Sequence, residues 1–279
     1  MSDHRSRVTA LCIVGRTSVD FEVMMQWIAM LRKVYWPGPL FMIPEIYANG
    51  GWIGVVALRN LATYYALRDD SWDELLFIDA DHMVTAALVE RLAEHGGRYP
   101  ILGGFYCGRA YPFEVQAFES VETSGVRYID PRRLVPLLDP PSSAVIEVAG
   151  VGTGCMLIQR EVLERMRVIR GEGEIFRAGR LEWSAQRALI ERGEQPSGVW
   201  TEDIMFCLDA KELLGTQTYL DLDPRMDSGH VGREPRGRRH YLAAHVVPPH
   251  TNVDTEQLRR MGYEMVPHKL GKSGRRQRR

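Results

Sequence analysis

Two carboxylates one residue apart, Asp79 and Asp81, end the apolar run in the segment ELLFIDADHMV, residues 74–84, and a histidine follows them. The run predicts a buried strand, and open α/β sheets bind ligands beyond the carboxyl ends of their strands. Both carboxylates could there reach one hard divalent cation, Mg²⁺ or Mn²⁺, which takes oxygen ligands and shares them with substrate phosphates. The same acids could instead end the strand and cap the next helix, so this spacing leaves both interpretations open.

Other polar side chains lie at the ends of predicted elements. Glu202 and Asp203 open a predicted helix, where acids interact favourably with the helix dipole but where one could also act as a general base. Arg59 and Asn60 follow the second predicted strand, and a guanidinium there could bind a diphosphate or simply be solvated. His230 lies between glycines after the last predicted strand. It could complete a metal site or be a loop histidine.

The elements that must position these residues alternate between strand and helix through the first half of the chain. The periodicity predicts strands at residues 8–14, 39–43, 74–79 and 99–106, and helices at residues 21–33, 55–67 and 86–95. Thr85 is a suitable N-cap for the last of these helices. Such alternation predicts a mainly parallel central sheet flanked by helices.

The second half of the chain has a different pattern, which predicts a smaller antiparallel part. Antiparallel strands are predicted at residues 113–120 and 126–130, a glycine-interrupted strand region at 144–159, helices at 160–166 and 201–215, and a last strand at 217–223. Residues 169–198 are charged, contain glycine and show little periodicity. They predict a long excursion from the fold.

Composition sets broad limits on the class of protein. The 279 residues are 45% hydrophobic, enough for one large domain or two small ones. Four well-separated cysteines, Cys12, Cys107, Cys155 and Cys207, form no Cys-x-x-Cys pair and predict reduced thiols. No apolar run reaches the ~20 residues that cross a bilayer, and the N-terminus lacks the apolar core of a signal peptide. We therefore expect a soluble, cytoplasmic protein, located in the host cytoplasm if it is phage-encoded.

Charge is unevenly distributed along the chain. The formal net charge is −1, yet residues 268–279 contain six Lys or Arg and no acid. Residues 269–279 therefore predict a basic, disordered tail. Such a tail could contact phosphates non-specifically.

Six short segments, in the order ALRN, FIDAD, GGFYCGR, GTGCMLI, TEDIMFC and SGHVG, resemble the GT-A nucleotide-sugar glycosyltransferases. The similarity is strongest to the family-2-like members common in bacteriophages and bacteria, and it extends from about Val8 to Gly232. It implies a GT-A, Rossmann-like domain over residues 1–232, with a nucleotide-binding half, 1–110, and an acceptor half, 111–232. A C-terminal extension, 233–268, would precede the basic tail.

The resemblance also implies roles for individual residues. Asp79, Asp81 and His230 would bind Mn²⁺ or Mg²⁺, and the family's Glu-Asp pair, matched by Glu202 and Asp203, would contain the catalytic base, of which we favour Asp203. The residues that would contact the donor nucleotide-sugar are Gly15, Arg16, Arg59, Asn60, Asp79, Arg109, Gly152, Thr153 and Gly154. The first strand ends in VGRTSVD rather than in the proline-containing turn frequent in relatives, so the contacts to the base are undefined.

The implied activity is transfer of a sugar, with UDP-sugar as the donor, to an acceptor hydroxyl. As in some phage members of the family, the acceptor could be a 5-hydroxymethyl-pyrimidine in DNA, with the basic tail as a DNA contact. A protein or a glycan is the alternative acceptor. Two other classes remain: a phosphatase similar to the haloacid dehalogenases, which place Thr or Val where Met83 stands here, and a nucleic-acid-binding protein.

Overall fold

A seven-stranded sheet forms the centre of the computed structural model. The structure describes residues 9–15, 40–44, 52–83, 85–95, 97–108, 114–122, 125–139, 141–177, 179–180, 199–230 and 241. In chain order, the strands are β1 (Thr9–Gly15), β2 (Leu40–Pro44), β3 (Glu74–Asp79), β4 (His82–Met83), β5 (Ile101–Gly103), β6 (Ala117–Glu122), β7 (Gly125–Tyr128), β8 (Val145–Val148), β9 (Gly150–Val151), β10 (Cys155–Gln159), β11 (Gly179–Arg180), β12 (Val199–Trp200), β13 (Thr218–Asp221) and β14 (Gly229–His230).

Five α-helices are described around the strands. They are α1 (Trp52–Ala66), α2 (Ala86–His95), α3 (Pro131–Leu138), α4 (Arg160–Arg170) and α5 (Glu202–Leu214), and a short 3₁₀ helix spans Pro224–Met226. Asp130 caps α3 by accepting a hydrogen bond from the Arg132 amide. Gly215 ends α5 in the left-handed conformation, at φ 67°, which glycine adopts without steric cost.

The central sheet has the order β2-β1-β3-β10-β5-β13-β8. Five of its strands run in one direction, while β10 and β8 run in the other. A separate three-stranded antiparallel sheet has the order β7-β6-β9. The predicted fold class, an α/β sheet flanked by helices with a smaller antiparallel part, is confirmed. The helix predicted at residues 21–33 and most of the predicted excursion lie outside the described residues.

The packing of β3 on both of its faces explains why its sequence is a continuous apolar run. Leu75 and Phe77 join a core cluster with side chains of α1, α4 and α5. Leu76 and Ile78, which point to the other face, join a second cluster with side chains of α2. A strand covered on both faces has no polar side. The run ends at Asp79, the first residue of this strand that is not fully buried.

Buried cysteines and one buried tyrosine agree with a reduced, well-packed interior. Cys107, Cys155 and Cys207 are free and buried, and burial raises the pKa of both Cys155 and Cys207 to about 12. Tyr241, within the predicted C-terminal extension, is fully buried with its ring centroid 5.9 Å from that of Phe105. None of the described helices is long and apolar enough to cross a membrane.

A buried ionic network ties α2 to the end of β13. The fully buried Asp221 accepts a hydrogen bond at Oδ2 from Arg91 Nε at 2.7 Å, and His95 Nε2 lies 2.6 Å from the same oxygen. Burial alone would raise the pKa of Asp221, but the bonds from His95 and Arg91 outweigh it and lower that pKa. The network therefore favours the ionised carboxylate.

Replacing Asp221 by alanine should lower the free energy of unfolding at pH 7 by about 1.5–3 kcal/mol, the typical worth of hydrogen bonds to a charged group. Because the folded-state pKa is lowered, this stabilisation exists above the unfolded pKa and disappears as pH falls through the folded value. Urea unfolding of both proteins at pH 7 and at pH 3 measures the difference. Asp139→Ala, at an exposed position, is the control, and a loss equal to that of the control would contradict the expectation.

Candidate functional site

Asp79, Asp81 and His82 form a cluster at the carboxyl end of β3. Each offers one potential metal-ligating atom, and these three atoms all lie within 4.8 Å of one another. Both carboxylates are partly exposed, whereas His82 is fully buried. Two carboxylates and one imidazole are a donor set suited to Mn²⁺ and acceptable to Mg²⁺. The residues therefore fit a divalent cation at the edge of the sheet where ligands usually bind.

His82 was not among the predicted metal ligands. The histidine predicted for the metal site was His230. The backbone relates the two, because β14 pairs antiparallel with β4 and sets His230 directly opposite His82. The His230 side chain lies outside the described part of the structure, so its metal role stays a prediction. The sequence signal for His82 was its position immediately after Asp81. The turn at residues 80–81 keeps its imidazole close to both carboxylates.

Arg59, on α1, connects the metal cluster to α5. Its Nη2 donates to Asp79 Oδ1 and its Nε to Glu202 Oε1, both at 2.8 Å. Arg59 is only 2% exposed and Glu202 3%. Burial by itself would lower the pKa of Arg59, but the two carboxylates raise it above its usual value. Arg59 is therefore a buried counter-ion for two acids, and the diphosphate contact predicted for it stays a prediction.

Asn60 has both ends of its amide occupied by the backbone of Phe176. Its Nδ2 donates to Phe176 O at 2.7 Å, and its Oδ1 accepts from Phe176 N at 2.8 Å. The side chain is buried. It fixes the segment after α4 against α1, and the nucleotide contact predicted for it stays a prediction.

The turn at residues 152–154, between β9 and β10, lies against the metal cluster. A side chain at position 154 would collide with the His82 ring, so only glycine fits there. Gly154 O also accepts a hydrogen bond from the Asp79 amide at 3.4 Å, and the Thr153 amide donates to Asp203 Oδ2 at 3.3 Å. This turn thus connects the metal cluster to the first turn of α5.

Asp203 has a partly exposed carboxylate with an altered pKa. Burial, and then the negative charge of Glu202, raise the pKa of Asp203 to about 6. A carboxylate with a pKa near the working pH can accept a proton and release it again, as a general base must. Glu202 differs, because it is buried against Arg59. The two acids therefore have different surroundings: Glu202 is paired with Arg59, and Asp203 accepts a hydrogen bond from the 152–154 turn.

Replacing Asp203 by asparagine should stabilise the protein near neutral pH. The raised pKa means that the folded state binds this proton more tightly than the unfolded state, so ionisation costs stability as pH rises from about 4 to above 6. We expect Asp203→Asn to gain about 1–3 kcal/mol at pH 7.5 and almost nothing at pH 4. Urea unfolding at both pH values measures this. A gain that does not depend on pH would contradict the assignment.

Of the three remaining residues predicted to contact the donor, only Gly15 lies within the described residues. Gly15 ends β1, whose neighbour β3 brings Val14 into register with Asp79, so its backbone lies at the same sheet edge as the metal cluster. Arg16 and Arg109 lie outside the described residues. Their predicted contacts to the donor stay predictions.

No protein-family model matches this sequence, and no curated protein sequence matches it. Among solved structures, A197 from STIV has a TM-score of 0.49 and 17% identity, with 82% of this chain and 93% of that chain covered. GalNAc-T7 with UDP, GalNAc and Mn²⁺ has a TM-score of 0.45 and 12% identity, covering 87% of this chain but 48% of that one. A mycobacterial protein has a TM-score of 0.38 and 14% identity, with 88% and 76% covered. Likenesses this distant assign neither a family nor an activity to this chain.

Proposed function

We propose that this protein is a metal-dependent glycosyltransferase that moves a sugar from a nucleotide-sugar, with UDP-sugar as the first donor to test, to an acceptor hydroxyl. The observation that carries the proposal is the cluster of Asp79, Asp81 and His82 at the carboxyl end of β3, with ligand atoms within 4.8 Å. The ordered sequence segments that resemble GT-A enzymes support it. So does Asp203, which the Thr153 amide holds on the far side of the 152–154 turn.

Each part of the site has a role in this proposal. Asp79, Asp81 and His82 hold Mn²⁺ or Mg²⁺ with His230 as a further ligand, and the cation, when bound, neutralises charge on the diphosphate leaving group. Asp203 takes the proton from the acceptor hydroxyl. Arg59 holds the Asp79 and Glu202 carboxylates in place through its two ion pairs. Gly15, Arg16, Arg109 and the 152–154 turn contact the donor.

The domain division in the proposal follows the sequence resemblance. Residues 1–232 form the transferase domain, with a nucleotide-binding half at 1–110 and an acceptor half at 111–232. Residues 233–268 are an extension that precedes the basic tail at 269–279.

For the acceptor, we propose a 5-hydroxymethyl-pyrimidine in DNA, supported by the six basic residues at positions 268–279. A glycan or a protein is the alternative.

The test combines cation binding with donor turnover. Mn²⁺ binding is measured from the electron paramagnetic resonance signal of free Mn²⁺, and UDP release is measured from a pool of UDP-sugars, with and without hydroxymethylcytosine DNA. We expect wild-type protein and Asp139→Asn, the exposed control, to bind Mn²⁺ and release UDP. Asp81→Asn should lose both.

The pattern of results separates the alternatives. UDP release that requires both Asp81 and DNA supports the DNA acceptor, whereas release that requires Asp81 but ignores DNA supports the transferase and rejects that acceptor. Hydrolysis of p-nitrophenyl phosphate without UDP release would favour a phosphatase. Salt-sensitive DNA binding with no cation binding would favour a nucleic-acid-binding protein.

A further inference from the structure

Tyr106, which follows β5, lies between the candidate metal ligands and the candidate base. It is 5% exposed, and its ring packs edge-to-face on His82 with centroids 4.6 Å apart. Its hydroxyl oxygen accepts a hydrogen bond from the Gly154 amide at 3.1 Å. The sequence segment GGFYCGR contains this residue as well as Arg109.

The two glycines of the 152–154 turn leave room for this tyrosine. A Cβ at position 152 would collide with the Tyr106 hydroxyl and would lie 3.4 Å from Asp203 Oδ2. A Cβ at position 154 would lie 2.8 Å from Tyr106 Cζ. The absence of both side chains lets the hydroxyl approach the backbone closely. The tyrosine oxygen and the Asp203 carboxylate thus lie beside the same point of the turn.

Successive backbone amides of the turn donate hydrogen bonds to different side chains. The Thr153 amide donates to Asp203, and the next amide, that of Gly154, donates to Tyr106. On its other side, Gly154 O accepts from the amide of Asp79. The turn therefore has one anchor on the candidate base, one on the tyrosine and one on the metal cluster.

We propose that Tyr106 is a positioning residue whose hydroxyl fixes the 152–154 turn, so that Asp203 and the metal cluster keep the separation that transfer requires. This inference rests on the proposed function for its catalytic consequence, but the hydrogen bond to the turn is a property of the protein alone. Burial, with the charges of Asp203 and Asp79, raises the pKa of Tyr106 well above its usual value. The hydroxyl consequently stays neutral across the working pH range.

Tyr106→Phe tests the inference because it removes the hydroxyl and keeps the ring that packs on His82. Amide hydrogen exchange at Gly154 should become about 3- to 10-fold faster, as expected for one lost hydrogen bond. The kcat for UDP release should fall about 10- to 100-fold, because small misplacements of reacting groups cost that much. Mn²⁺ affinity, the KM for the donor and the melting temperature should change little. Tyr219→Phe, in the aromatic group beside α2, is the matched control and should change none of these.

Other outcomes decide against the inference or against the proposed function. Unchanged Gly154 exchange would overturn the inference. So would a loss of Mn²⁺ affinity that accounts for the whole loss of kcat, because the tyrosine would then act through the metal ligands. If wild-type protein neither binds Mn²⁺ nor releases UDP, the proposed function fails. Faster Gly154 exchange in Tyr106→Phe would still support the anchoring of the turn.

Discussion

Replacing Arg59 by methionine should lower the free energy of unfolding by about 3–5 kcal/mol, the cost of removing one partner from a buried ion pair. The reason is that Asp79 and Glu202 both depend on this guanidinium, at 2.8 Å each. Glu202 is 3% exposed and would be left as a buried charge without its cation. Urea unfolding at pH 7 measures the loss. The donor turnover should fall too, because Asp79 loses the group that orients it.

Three further variants give this prediction its controls. Arg68→Met removes an exposed arginine just after the same helix, whose guanidinium carbon lies 3.5 Å from the centroid of the Tyr64 ring. This change should cost about 1 kcal/mol or less. Arg59→Lys keeps the charge but lacks the planar fork that reaches both acids, so it should lie between the two. Adding Glu202→Gln to Arg59→Met should recover part of the loss. An Arg59→Met loss no larger than that of Arg68→Met would show that the two ion pairs contribute little.

The parts of this fold that could be predicted from sequence are those governed by local pattern. The apolar run of β3 predicts a buried strand, and Asp79 and Asp81 at its end predict a cluster at the sheet edge. The alternation of strands and helices predicts the α/β class. For each single element the information lies within about ten residues, because periodicity reports which faces of that element are buried.

The site features that sequence could not supply depend on contacts between distant segments. Arg59 and Glu202 are 143 positions apart, and Asn60 and Phe176 are 116 apart. Residue type predicted a phosphate contact for Arg59, and the fold places two acids around it, the buried Glu202 of α5 and the partly exposed Asp79 at the end of β3. Tyr106 could not be predicted for the same reason. The role proposed for it depends on two glycines, about 50 residues later in the chain, whose missing side chains leave room for its ring and hydroxyl.

Asp203→Asn should lower the kcat for transfer by about 10²–10⁴-fold, the usual contribution of a general base. The expected gain in stability near neutral pH means that unfolding could not explain this loss. Glu202→Gln should retain far more activity, since Glu202 is buried against Arg59 and its replacement can still accept that hydrogen bond. Mn²⁺ binding should be kept in both variants, because neither residue belongs to the metal cluster.

The pH profile distinguishes the two acids more sharply than the rates alone. A general base works when it is deprotonated, so kcat/KM of the wild-type protein should rise with pH through about 6, the pKa of Asp203, and then level off. Asp203→Asn should remove this inflection. Glu202→Gln should move it to lower pH, because burial and then the charge of Glu202 are what raise that pKa. If Glu202→Gln instead removes the inflection and Asp203→Asn keeps it, Glu202 is the base and the assignment of Asp203 is wrong.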